Sequence, residues 1–187
     1  MTPEAVIDDM IRAGDGLVLG RTLLDLWPRE DDETAFIIDA LQFQGPPANE
    51  KDQRTVGAFL RWQRRALDLP GPYFLEVFDW LFRENRIAAG RFRALGRLVD
   101  LRELRCPLFL LAGDRDSIAT AGQVLAAAAL TGARPRDVET AIAPCGHLAL
   151  FVGRDTLKNE WPRIARWLSG QPVRSQRASA LSANPRH

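Results

Sequence analysis

Pro107-Leu108-Phe109-Leu110-Leu111-Ala112-Gly113 is a short, unbroken apolar run closed by proline on one side and glycine on the other. Such a run is expected to form a strand buried on both faces of a parallel sheet. Ala119 to Leu130, rich in alanine, is expected to be helical; the turn residues Gly132 to Asp137 follow, and Val138 to Ala143 is a second candidate strand. Strand, helix, strand is the crossover unit of an α/β fold. Asp155 to Leu168 is the expected closing helix, with Asp155 as a candidate N-cap and Pro162 either kinking it or starting its second part.

The chain before residue 101 has a different character. Val6, Met10 and Ile11 recur at helical spacing between Thr2 and Ala13, and Pro3 suits a first turn. Gly14, Gly16 and Gly20 punctuate the apolar stretch that follows, which argues for turns or close backbone approach. Arg29 to Asp52 reads as a connection with a short helical run around Phe36 to Leu41. Thr55 to Leu67 is expected to be a helix stopped by Asp68-Leu69-Pro70-Gly71-Pro72. A second helix, Tyr73 to Ile87, would place Phe74, Val77, Phe78, Leu81 and Phe82 on one face. The tail from Gln171 to His187 is polar with little to bury, so disorder is its expectation.

Composition excludes several function classes. Twenty-five Lys and Arg against twenty-four Asp and Glu leave a formal charge of +1, which gives no electrostatic case for nucleic acid. The longest apolar stretch, Val124 to Leu130, is far short of the ~20 residues of a membrane span. No charged-then-apolar segment opens the chain, so a cytoplasmic location is expected. Cys106 and Cys145, the only cysteines, lack the paired spacing of a metal site, and no cofactor motif is legible. With 46% apolar residues the chain has material for one core.

Both candidate strands run into chemically suggestive loops: Gly113-Asp114-Arg115-Asp116-Ser117-Ile118 after the first, Ala143-Pro144-Cys145-Gly146-His147-Leu148 after the second. Side chains just past the carboxyl ends of strands are where α/β folds place their sites. An acid after one strand and a histidine after the next matches the second half of the nucleophile, acid, histidine order of α/β-hydrolases. His147 would be the general base, and Asp116 or Asp114 would fix its tautomer and stabilise the imidazolium. No serine or cysteine in the chain has glycine two residues before and two after it, so the nucleophile elbow is not found.

Trp62, Leu69-Pro70, Tyr73-Phe74-Leu75, Asn85, Gly90, Val99-Asp100-Leu101, Cys106-Pro107, Gly113 to Ile118 and Gly146-His147 together resemble the second half of polyhydroxyalkanoate synthases, over roughly Thr2 to Leu168. Those enzymes are lipase-like and polymerise hydroxyacyl-coenzyme A thioesters; related α/β-hydrolases, including polyester depolymerases, cleave esters. The resemblance implies Asp116, at the family's Gly-x-x-Asp spacing, as the triad acid and His147 as the base. It also implies a helical cap between Thr55 and Arg91, with Trp62, Phe74, Phe78 and Trp80 as apolar walls and Trp62, Phe74 and Phe78 as candidate substrate-binding residues. Ser117 stands where the synthases usually carry histidine, and Gln63 where they carry asparagine; the first departure weighs toward a synthase-like hydrolase.

The expected architecture is therefore α/β, the carboxyl-terminal portion of an α/β-hydrolase fold preceded by a helical cap segment. Residues 1–54 would be connecting helices, 55–100 the cap-like segment, 101–170 the β-α-β-α part of the core and 171–187 a tail. The expected function is acyltransferase or esterase chemistry on acyl-coenzyme A or a polyester, with the nucleophile coming from an upstream region or a partner chain. The rival expectation is a non-catalytic subunit or granule-associated interaction protein derived from that fold.

Overall fold

Two six-residue strands lie side by side and in the same direction, and the rest of the carboxyl-terminal half is arranged about them. A computed structural model of the chain describes residues 3–26 and 33–170. Its elements are, in order, helix α1 (Pro3–Ala13), strand β1 (Leu17–Val18), α2 (Gly20–Leu26), α3 (Glu33–Leu41), α4 (Glu50–Gln63), β2 (Leu69–Pro70) and α5 (Gly71–Val77). They continue with β3 (Arg93–Ala94), β4 (Arg97–Leu98), β5 (Leu108–Gly113), α6 (Ala121–Leu130), β6 (Val138–Ala143), α7 (Ala149–Val152), α8 (Arg154–Asn159) and α9 (Trp161–Leu168). The architecture is mixed α/β. The expected tail and His187 lie outside the described residues, as do Thr2 and the stretch 27–32.

Strands β5 and β6 pair in parallel with Leu108 opposite Val138 and Gly113 opposite Ala143. Both strands therefore end level, and the loops after them leave from adjacent points. Helix α6 packs on β5 and makes a smaller contact with β6. Its start is secured by a capping box in which the Thr120 hydroxyl accepts from the Gln123 N–H while the Gln123 side chain accepts from the Thr120 N–H. Leu108 to Leu111 are half-buried, and only Ala112 and Gly113 reach full burial. The apolar run suggests cover on both faces, but among the described residues no third strand joins the pair. The cover β5 does have beyond α6 includes Trp167 of α9, whose ring meets Phe109 edge-on at 5.7 Å.

The buried core clusters flank the histidine loop. Ile37, Ala40 and Leu41 of α3, Phe43, and Phe59 of α4 form the first, with Leu148 and Val152 packed against it. Ala143, Cys145, Ala149 and Leu150 form the second, with Leu111 of β5 against it. Helix α4 starts at Glu50, earlier than periodicity suggests, because the Asn49 side chain accepts from the Asp52 N–H. The same helix ends at Gln63, short of Leu67. Helices α1 and α5 and the short antiparallel pair β1–β2 pack together, with Val18 fully buried.

One local expectation is revised, one element is new and one alternative is decided. Tyr73 to Ile87 is not one α-helix: α5 stops at Val77 and the chain widens into a π-helical turn over Phe78–Arg83. The extra residue per turn shifts the face, so Phe82, expected on the apolar side, is 76% exposed. Residues 93–98 form an unforeseen hairpin whose turn residues Leu95 and Gly96 both have positive φ, 49° and 76°; leucine carries no turn signal there. The expected closing helix, Asp155 to Leu168, is divided between α8 and α9, and Pro162 stands in the first turn of α9, the second of its two expected roles. Among the described residues no helix is long and apolar enough to cross a membrane.

Phe59 is 5% exposed at the centre of the first core cluster, whereas its neighbour Trp62, ring centroid 5.9 Å away, is 57% exposed. Phe59→Ala is expected to lower the unfolding free energy by about 3 kcal/mol and Trp62→Ala by less than about 1 kcal/mol, read from urea unfolding.

Candidate functional site

Gly113 ends β5 at a point where no side chain fits. A Cβ there would lie 2.4 Å from the Cys145 carbonyl oxygen. This close approach lets the acid loop and the histidine loop interlock: the Asp114 N–H donates to the Ala143 carbonyl (2.9 Å) and the Arg115 N–H to the Cys145 carbonyl (3.2 Å). Arg115 adds a side-chain tie, with Nη2 donating to the Pro144 carbonyl at 2.9 Å and pairing with Asp39 of α3 at 3.2 Å.

The turn that follows aims Asp116 inward. Its Oδ1 accepts the N–H groups of Ile118 and Ala119, each at 2.9 Å, and its Oδ2 lies 2.8 Å from Nδ1 of His147. The Asp116 side chain is 1% exposed, the His147 ring 31%. Burial pushes the Asp116 carboxyl up, but the Ala119 N–H, the His147 ring and the Ile118 N–H outweigh it and hold the group below its ordinary value. An ionised carboxylate only accepts hydrogen bonds, so the contact selects the Nδ1–H form of the ring, and in the neutral tautomer of that form the lone pair is on Nε2. An imidazole so oriented can take a proton from a group brought to Nε2 and return it to a leaving group.

The structure brings Asp116 and His147 together and leaves Asp114 out. Asp114 is exposed, with Oδ1 3.8 Å from Nε of Arg115. Trp62 stands on α4, whose Phe59 shares a cluster with Leu148 next to the histidine, but its own ring faces largely outward. Phe74 and Phe78 are half-buried on α5 and the π turn, and α5 packs on α1, β1 and β2. Cys145, two residues before the histidine, is fully buried, and that burial raises its thiol pKa despite the Thr156 hydroxyl beside it. A buried thiol of that kind is a poor nucleophile. Two concavities, of about 490 Å³ by Pro107 and Trp167 and about 530 Å³ between Arg102 and Arg134, open at the opposite end of the strands from the dyad. Among the described residues no cluster of three or more His, Cys, Asp or Glu could hold a metal ion.

The sequence profile of the PHB de-polymerase C-terminus family matches residues 47–171, which include both loops. The chain belongs to that family. Among its relatives are proteins named poly(3-hydroxyalkanoate) polymerase subunit PhaC. The one from Haloarcula marismortui is 23% identical over 98% of this chain and 37% of its own length. That from Synechocystis is 26% identical over 63% of this chain and 32% of its own length, and that from Allochromatium vinosum 27% identical over 63% and 34%. This member of the PHB de-polymerase C-terminus family is thus polyhydroxyalkanoate synthase-like, and it spans about a third of the length of these curated relatives.

Sequence reasoning missed the residues that tie the loops down. Arg115 lies in a quoted motif but carries no sign of its tie to Asp39, which is in none, and Gln42 and Thr156 look like ordinary helix-end residues. Gly113 is legible as a strand terminator and as the first residue of the Gly-x-x-Asp spacing, but not as the point where the Cys145 carbonyl comes close.

A pH dependence follows from the carboxylates. Asp116 is held low, and Asp100 is lowered to about 2 by the Arg102 guanidinium and N–H. Each folded value lies below the unfolded value of ~3.9, so each contribution is present above ~pH 4 and is lost as pH falls through the folded value. Stability measured by urea unfolding is expected to fall from about pH 4 downward, and Asp116→Asn to remove part of that slope. An identical acid slope in Asp116→Asn would contradict the assignment.

Proposed function

We propose that this chain supplies the acid and the base of an acyl-transfer triad in an α/β-hydrolase-type enzyme, acting on hydroxyacyl thioesters or their polyesters with a nucleophile that is not among these 187 residues. The 2.8 Å contact between Nδ1 of His147 and the buried Asp116 carboxylate carries the reading. The order of the two residues after adjacent parallel strands supports it, as do family membership and relatives named as polymerase subunits.

In the proposed cycle a cysteine thiol or serine hydroxyl approaches Nε2 of His147, gives up its proton and attacks the carbonyl carbon of the thioester or ester. The imidazolium that forms is stabilised by Asp116 through Nδ1–H, and returns the proton to the departing thiolate or alkoxide. An acyl-enzyme remains. A second hydroxyl then loses its proton to Nε2, attacks the acyl carbon and releases the nucleophile, which recovers the proton from His147. A hydroxyacyl chain end as that hydroxyl lengthens a polyester; water hydrolyses the ester.

The same reading assigns the segment from Thr55 to Arg91 to a cap over the site, with Trp62, Phe74 and Phe78 as apolar wall residues. The half-exposed faces of β5 and the outward Trp62 ring then meet sequence beyond this chain.

The test is kinetic. In an enzyme containing this chain together with its nucleophile-bearing sequence, assayed on a 3-hydroxyacyl-coenzyme A, His147→Gln and Asp116→Asn are each expected to lower kcat by about 10³- to 10⁴-fold while KM changes by less than about threefold. Turnover that survives His147→Gln would overturn the proposal.

A further inference from the structure

Gln42 is the first residue beyond α3, and its backbone sits in the left-handed region with φ 53°. Its side chain crosses to the far end of the sequence. Oε1 accepts the N–H of Asp155 at 2.8 Å and of Thr156 at 3.0 Å, and lies 3.3 Å from the Thr156 hydroxyl. These are orphan donors of the first turn of α8, a role that Asp155 was expected to serve from within its own helix. The approach depends on Gly153, where a Cβ would come within 2.3 Å of Gln42 Oε1 and 2.6 Å of the Ala149 carbonyl.

Thr156 is 2% exposed, and its hydroxyl, with a single proton to share, also lies 3.6 Å from Sγ of the fully buried Cys145. Cys145 opens the turn into Gly146-His147, and the Leu150 N–H closes that turn on the His147 carbonyl at 3.3 Å. Three residues before Gln42, on the same helix end, Asp39 pairs with Arg115 of the acid loop. A Cβ on Gly146 would touch Asp39 Oδ2 at 3.0 Å. The end of α3 thus backs the acid loop through Asp39 and the histidine loop through Gln42.

We infer that Gln42 is a positioning residue for the Asp116–His147 pair: by accepting from the first turn of α8 it fixes Thr156 against Cys145 and so sets where the His147 ring stands. The inference rests on the acid and base reading proposed above. A glutamine at this place is otherwise hard to account for. Its left-handed backbone is strained in a way that glycine would avoid, and only a side chain of this length carries an acceptor to α8. The packing of Phe43 and Leu41 alone asks for no amide oxygen between them.

The test uses the two histidines of the chain. In ¹⁵N-histidine-labelled protein the His147 Nδ1 proton, shared with Asp116, is identified by its loss in Asp116→Asn, and its exchange with water is timed. Gln42→Met keeps the length and removes the acceptor, and is expected to speed that exchange by about tenfold or more, while Gln42→Glu, which still accepts, restores it to within about twofold of wild type. Thr156→Val removes the hydroxyl that lies against both Cys145 and Gln42 Oε1 but keeps the two backbone N–H bonds to Gln42; it is expected to act in the same direction as Gln42→Met, so it serves if Gln42→Met does not fold by circular dichroism. Lowered thermal stability in folded Gln42→Met with unchanged exchange would mean that Gln42 only caps a helix, and the inference would fall. Absence of the proton in the wild-type chain would instead overturn the acid and base reading itself.

Discussion

Everything at the candidate site follows from the level ends of two parallel strands. Because Gly113 stands opposite Ala143, the chain leaves the sheet twice at neighbouring points, and the loops must share one small volume. A shift of one residue would turn each strand's side chains to the other face and misalign the loops. The glycine at the end of β5 lets the Cys145 carbonyl approach to a distance no other residue permits. Asp116 is then carried inward by its own turn, with two backbone N–H groups holding one carboxylate oxygen and leaving the other for the histidine. Desolvation works against a buried carboxylate, and here three donors compensate for it.

Around that pair the chain has built a support drawn from distant sequence. Residues 36–43 and 59 form the apolar bed on which Leu148 and Val152 rest. Asp39 and Gln42 add polar contacts from the same helix end, one to each side of the site. The histidine therefore depends on residues about a hundred positions earlier for its placement. This long-range dependence explains how a short loop of proline, cysteine and glycine holds an imidazole against a buried acid while Cys145 stays a free thiol.

The two strands, the helix between them and the loop residues Asp116 and His147 were legible in the sequence, because apolar runs bounded by proline and glycine are local signals and the loops follow directly. The choice of Asp116 over Asp114 came from the family spacing, and only the backbone turn shows why it is the one that reaches His147. The π turn after Val77 was not legible, since one extra residue in a turn leaves no mark in helical periodicity. The Leu95-Gly96 hairpin was hidden by a leucine where asparagine or glycine would be expected. Gln42 was missed for a different reason: its partners are 113 and 114 residues away, and no local pattern records such a contact.

The central claim is a division of labour, with acid and base on this chain and the nucleophile elsewhere. It is tested most directly by finding where the acyl group goes. The enzyme containing this chain and its nucleophile-bearing sequence would be mixed with a 3-hydroxyacyl-coenzyme A, quenched in acid and mapped by peptide mass spectrometry. The expected result is an acyl group on a cysteine or serine outside these 187 residues, with this chain unmodified. An acyl group on Cys145, Cys106 or Ser117 would contradict the account and return the nucleophile to the chain itself.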